Sequence, residues 1–113
     1  MGYEKIARAN HRNGNNCSVS LFKAFADKLD MSEAEVAKIA PPPRSDGGKC
    51  GGYLGGKKIL EMLKPEAVEE FEKCFLEQNG DNECAGLIAK RRVQGKNCND
   101  LVGETADLIE SLL

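Results

Sequence analysis

The sequence predicts an all-α protein, a single compact bundle of five to six short helices spanning residues 1–113. Apolar residues recur at helical spacing along nearly the whole chain, no segment shows the alternating pattern of a strand, and the Pro, Gly and Asn punctuation falls between the apolar stripes. A chain of 113 residues with 41% hydrophobic and 30% charged residues can build one modest core. No linker, repeat or low-complexity tract divides it.

The elements follow in order. A short helix near the start ends about His11. Over residues 17–29, Cys17, Leu21, Phe22, Phe25, Ala26 and Leu29 share one stripe behind a cap at Asn15 or Asn16. Ser32 with Glu35 forms a capping box for a short helix carrying Val36 and Ile39, which the triple proline from Pro41 stops. Residues 41–49 read as loop. A helix then begins near Cys50 and Gly51 and runs to about Leu63. Pro65 suits the first position of the next, with Ala67, Phe71, Cys74 and Phe75 on one face and Gly80 as its stop. Asp81 or Asn82 caps a short helix bearing Cys84, Leu87 and Ile88. Gly95 and Asn97 open the last, where Cys98, Leu101, Thr105, Leu108 and Leu112 are spaced by threes and fours.

Charge and composition exclude several functions. With 16 Lys and Arg against 18 Asp and Glu the net charge is −2, too little to hold nucleic acid or an anionic membrane by charge alone. Aromatic residues make up 5% and Trp is absent, so no base-stacking surface is expected. No apolar run approaches the ~18 residues of a membrane span, and the polar opening to Asn16 lacks a signal-peptide core. A cytoplasmic protein is the expectation.

His occurs once, at His11, and Cys five times. Sites needing several imidazoles are thereby excluded, and the candidate chemistry is that of sulfur. Cys17, Cys50, Cys84 and Cys98 each fall within the first turn of an expected helix, where free N–H groups and the helix dipole favour thiolate over thiol; Cys74 does not. Acidified thiols ligate metals and attack disulfides. The four are separated by 33, 34 and 14 positions, so no short Cys-x-x-Cys pair exists and the fold itself would have to assemble any shared site. Small buried core residues are the competing reading of the same four positions.

The runs Asn16-Cys17-Ser18 and Cys50-Gly51-Gly52-Tyr53-Leu54-Gly55, then Cys84 after Gly80 and Cys98 before Leu101-Val102, together resemble the C_GCAxxG_C_C family of redox-active proteins, defined by four cysteines and a CGAxxG motif. The resemblance runs from about residue 16 to 112. It implies a redox-active or electron-transfer protein, with Cys17, Cys50, Cys84 and Cys98 as cofactor-binding and metal-ligating residues, and an iron–sulfur cluster as cofactor. Thiol–disulfide exchange by a pair of these cysteines is the enzymatic alternative, and a zinc-binding or metal-free interaction module the structural one. A redox partner protein is implied, and a homodimer fits the family context. Two departures stand out: the motif's Ala is Gly52 here, and residues 41–49 replace the usual Gly-rich lead-in.

Other signals have simpler readings. Residues 51–57 read G-x-x-x-x-G-K, but Lys58 stands where Ser or Thr would meet magnesium and no strand precedes it. The Gly51/Gly55 and Gly52/Gly56 spacing marks close helix packing or a dimer seam. Cys74 is expected as core filler and His11 as a solvated helix-end residue. Lys90, Arg91 and Arg92 complement a helix end, and Glu66, Glu69, Glu70 and Glu72 form a solvated face.

Overall fold

Helix follows helix from Tyr3 to Leu112 in the computed structural model, which describes residues 2–113 apart from the side chain of Asp46. Among the described residues there is no strand, and no helix is long and apolar enough to cross a membrane. Helix α1 (Tyr3–Arg12) carries Glu4 at its start and His11 and Arg12 at its end, each opposing the dipole charge there. The helix α2 (Cys17–Ala24) is capped by Asn16, whose side chain accepts the Val19 N–H at 2.8 Å.

More helices are present than the five to six expected. The continuous apolar stripe over residues 17–29 conceals a break at Phe25 (φ −99°, ψ 13°), after which α3 (Ala26–Leu29) makes a single turn. Phe25 is fully buried and stacks on Tyr3 of α1 with ring centroids 4.4 Å apart. Helix α4 (Glu33–Ile39) opens with the Ser32–Glu35 capping box. The expected loop contains another single turn, α5 (Ser45–Gly48), tied back by a 2.6 Å hydrogen bond from Ser45 Oγ to the Pro42 carbonyl. Helix α6 (Gly51–Leu63) has Cys50 as its N-cap. Pro65–Ala67 form a 3-10 turn leading into α7 (Val68–Asn79), which Gly80 ends in the left-handed conformation (φ 74°). Then come α8 (Cys84–Gln94) and α9 (Cys98–Leu112), the latter opened by a capping box of Asn97 and Asp100.

One core unites most of these. Helix α1 lies along α9, α2 packs on α1 and α6, and α6 is flanked by α7 and α9. Phe22, Phe71, Phe75, Leu60, Val102 and Ile109 are completely buried between them. The glycines of α6 make this contact close: a Cβ on Gly55 would lie 3.1 Å from Ser18 Cα, and one on Gly56 2.5 Å from Phe71. That spacing therefore serves packing inside the chain, and it lends no support to a dimer seam. The single turn α5 and helix α8 are the exceptions, packing extensively on no other helix; α8 is the long one. Its buried residues are Leu87 and Arg91.

Candidate functional site

The starts of four helices converge where α8 stands away from the core. Cys17 is the first residue of α2, Cys84 of α8 and Cys98 of α9, while Cys50 is the N-cap of α6. All four line one cavity of about 300 Å³. Pro43, Leu87, Ile88 and Leu101 supply apolar wall, and Arg91, Arg92 and Lys96 bring positive charge. A backbone clasp holds two of the corners together: the Cys50 N–H donates to the Asn82 carbonyl at 2.7 Å, beside a lone antiparallel bridge between Lys49 and Glu83. Asp81 shapes the approach to Cys84, its carboxylate accepting the amides of Asn82 and Glu83 at 2.8 and 3.0 Å. Side-chain capping of α8 by Asp81 or Asn82 is not seen; Glu83 holds the N-cap position, with no side-chain cap.

The thiols interact with one another. Cys17 lies within the electrostatic reach of Cys50, Cys98 and Cys84. Arg44, exposed at a left-handed backbone position (φ 65°) beside the lining residue Pro43, lies within the electrostatic reach of Cys84. All five cysteines are free thiols. Among the described residues no three His, Cys, Asp or Glu side chains are already set to hold a metal ion, so the four sulfurs ring the cavity without meeting at its centre.

The electrostatics correct one expectation. Helix starts were expected to acidify these thiols, yet burial pushes Cys17 up to about 12, with the nearby Cys50, Cys98 and Cys84 adding to it. Burial also raises Cys50, although the amides of Gly52 and Tyr53 pull the other way without closing a regular cap hydrogen bond. At Cys17 and Cys50 the cost of burying a thiolate exceeds what a helix terminus returns.

Two further residues belong to the site. Arg91, read from sequence as a helix-end cation, is 6% exposed and forms part of the cavity wall. Its guanidinium donates to Asn79 and to Glu104 (3.0 Å), while its buried Nε–H has no partner. Position supplied a usable signal, because Arg91 follows Leu87 by one helical turn and Cys84 by two. Nothing in the sequence marks Arg44. Cys74 lies outside the cavity, half-buried and 3.4 Å from Glu70, and His11 lies near Asn99.

Fold and site together define a small all-helical protein with a pocket of four thiols gathered from distant parts of the chain. The chain belongs to the family described as "Putative redox-active protein (C_GCAxxG_C_C)", whose model matches residues 15–112. No curated protein and no solved structure matches it.

Proposed function

We propose that this protein carries electrons at the site formed by Cys17, Cys50, Cys84 and Cys98, as the ligands of an iron–sulfur cluster. The observation that carries the reading is the convergence of four thiols, each from a separate helix start, on one cavity. The donor set suits such a group: four sulfurs, no carboxylate or imidazole among the lining residues, and the guanidinium of Arg91 on the wall. A bound cluster would supply a one-electron reservoir. The chain's part is to release the thiol protons, draw the sulfurs inward and exclude water with Leu87, Ile88 and Leu101. Because burial holds Cys17 protonated at neutral pH, ligation is coupled to proton release and weakens as pH falls.

Anaerobic reconstitution with iron and sulfide tests this. A visible chromophore with stoichiometric iron and sulfide is expected, lost or altered by Cys→Ser at any of the four positions and retained in Cys74→Ser. A colourless, metal-free product after reconstitution defeats the cluster, and uptake of zinc alone assigns the site a structural role.

The presence of Cys17 and Cys98 in the same cavity wall favours a second reading, thiol–disulfide exchange. The Cys98 thiolate would attack one sulfur of a partner disulfide, expelling the other as a thiolate that takes up a proton. Cys17, once deprotonated, would then attack Cys98 in the mixed disulfide, closing a Cys17–Cys98 bond and releasing the second partner thiol. Two electrons pass to the partner. A reversible Cys17–Cys98 bridge in a glutathione redox buffer, mapped by mass spectrometry, supports this chemistry; random pairing or none opposes it.

A further inference from the structure

We infer that the rim of the thiol cavity is a docking face for an acidic redox protein, an inference that rests on the electron-carrying reading above. The chain as a whole is slightly acidic, at −2, yet the surroundings of the cavity are cationic. Arg92 and Lys96 belong to its wall and are exposed, and exposed Arg44 directly follows Pro43, which also lines it. These three come from separate segments: a loop, the end of α8 and the link to α9.

Nearby acids cancel them only in part, with Lys96 sharing Glu104 with Arg91. The Glu104 carboxylate is engaged by Arg91 at 3.0 Å and by Lys96 at 3.4 Å, and Asp81 is held by backbone amides. Glu83 is the exposed acid beside Cys84. Among the described residues Arg44 and Arg92 have no carboxylate partner, and no carboxylate lines the cavity. Such a rim gathers an oppositely charged partner by steering and orients it over the sulfurs, where electrons must cross.

The arrangement favours a protein surface over a small anion. A small oxyanion calls for convergent donors, but Arg91, the buried cation among the described residues, spends its terminal NH groups on Glu104 and Asn79 and leaves a single Nε–H unpaired. The remaining cations are exposed and spread over three segments, as suits the modest contact area of transient electron-transfer pairs. In the encounter the donor loses one electron and the thiol-held site gains it.

The probe is an acidic two-iron ferredoxin, reduced and mixed with the loaded protein, with basic cytochrome c as the partner of opposite charge. Amide-shift titration is expected to place ferredoxin contacts at Arg44, Arg92 and Lys96, with none for cytochrome c. The rate of reduction by ferredoxin is expected to fall at least tenfold between 50 and 500 mM NaCl. The ratio of this rate to that with reduced methyl viologen, a small cation, is expected to fall at least tenfold in the variant R44E/R92E/K96E. A rate indifferent to salt, shifts that map elsewhere, or equal binding of both proteins overturns the proposal. So does stoichiometric binding of inorganic phosphate in the cavity that blocks ferredoxin, which assigns the cations to a small anion. Failure of viologen to reduce the wild-type protein is a separate result: it refutes the electron-carrying reading and this proposal with it.

Discussion

Cys17 shows how two effects of position compete at a single atom. The start of α2 offers free amides, but the sulfur is largely buried in a pocket with three other thiols and an apolar wall, and its pKa rises to about 12. An unfolded cysteine ionises near 9. The folded state therefore retains a proton that the unfolded state gives up, so this contribution to stability is intact below pH 9 and is lost as pH climbs from 9 toward 12. Denaturant midpoints of the metal-free protein are expected to drop across that interval, and to drop less in Cys17→Ala. Placement of the four cysteines was legible because Asn16, Asn97 and the glycines after Cys50 announce helix starts locally. Their protonation was not, since burial and mutual repulsion exist only once distant segments meet. The α6 glycines give a second prediction. A Cβ at Gly52 would touch Cys50 Sγ, Thr105 and Leu101 at 3.6–3.8 Å, ordinary contact, so Gly52→Ala is expected to stabilise the protein by up to ~1 kcal/mol through helix propensity. At Gly56 the same methyl would press on buried Phe71, so overpacking by about 1–3 kcal/mol outweighs that gain and the melting temperature falls.

Among the elements, α8 is set apart. It buries only Leu87 and Arg91, exposes Val93 almost completely (89%), and is tethered by polar bonds: Arg91 to Glu104 and Asn79, and Lys90 Nζ to the Gly80 carbonyl. Few apolar contacts mean easy local opening. Amides of α8 are expected to exchange faster than those of α2, α6 and α9 in the metal-free protein, and to gain at least tenfold protection when the site is loaded or Cys84 is bridged. Hydrogen exchange read by mass spectrometry checks both halves; an α8 already as slow as α6 contradicts the account. The helix itself was readable from Cys84, Leu87 and Ile88. Its isolation was not, because a helical stripe says that a face is buried and never how well the neighbour fills it. The break at Phe25 escaped for a related reason, as the apolar spacing runs unbroken through it.

Across the whole molecule, the site joins positions 17, 50, 84 and 98, so it exists only when most of the chain is folded. A group held there binds the native state alone and stabilises it by mass action, about 2.7 kcal/mol at a hundredfold excess over the dissociation constant. For a domain of roughly 100 residues that is a rise in melting temperature of about 10 °C or more. Calorimetry on loaded and metal-free protein measures it, and identical melting curves would show that the four segments are not held together by ligation. The all-helical class was legible in the spacing of Leu21, Leu60, Phe71 and Leu101. The cavity was not, because it is set by how far one helix stands from the rest.

The clasp between Cys50 and Asn82 has a mechanical consequence. Whatever lengthens, shortens or stiffens the proline-rich segment ahead of it displaces Cys50 and, through that amide, the segment leading to Cys84. Spacing between two sulfurs can thus be retuned from a surface loop, with every cysteine left in place.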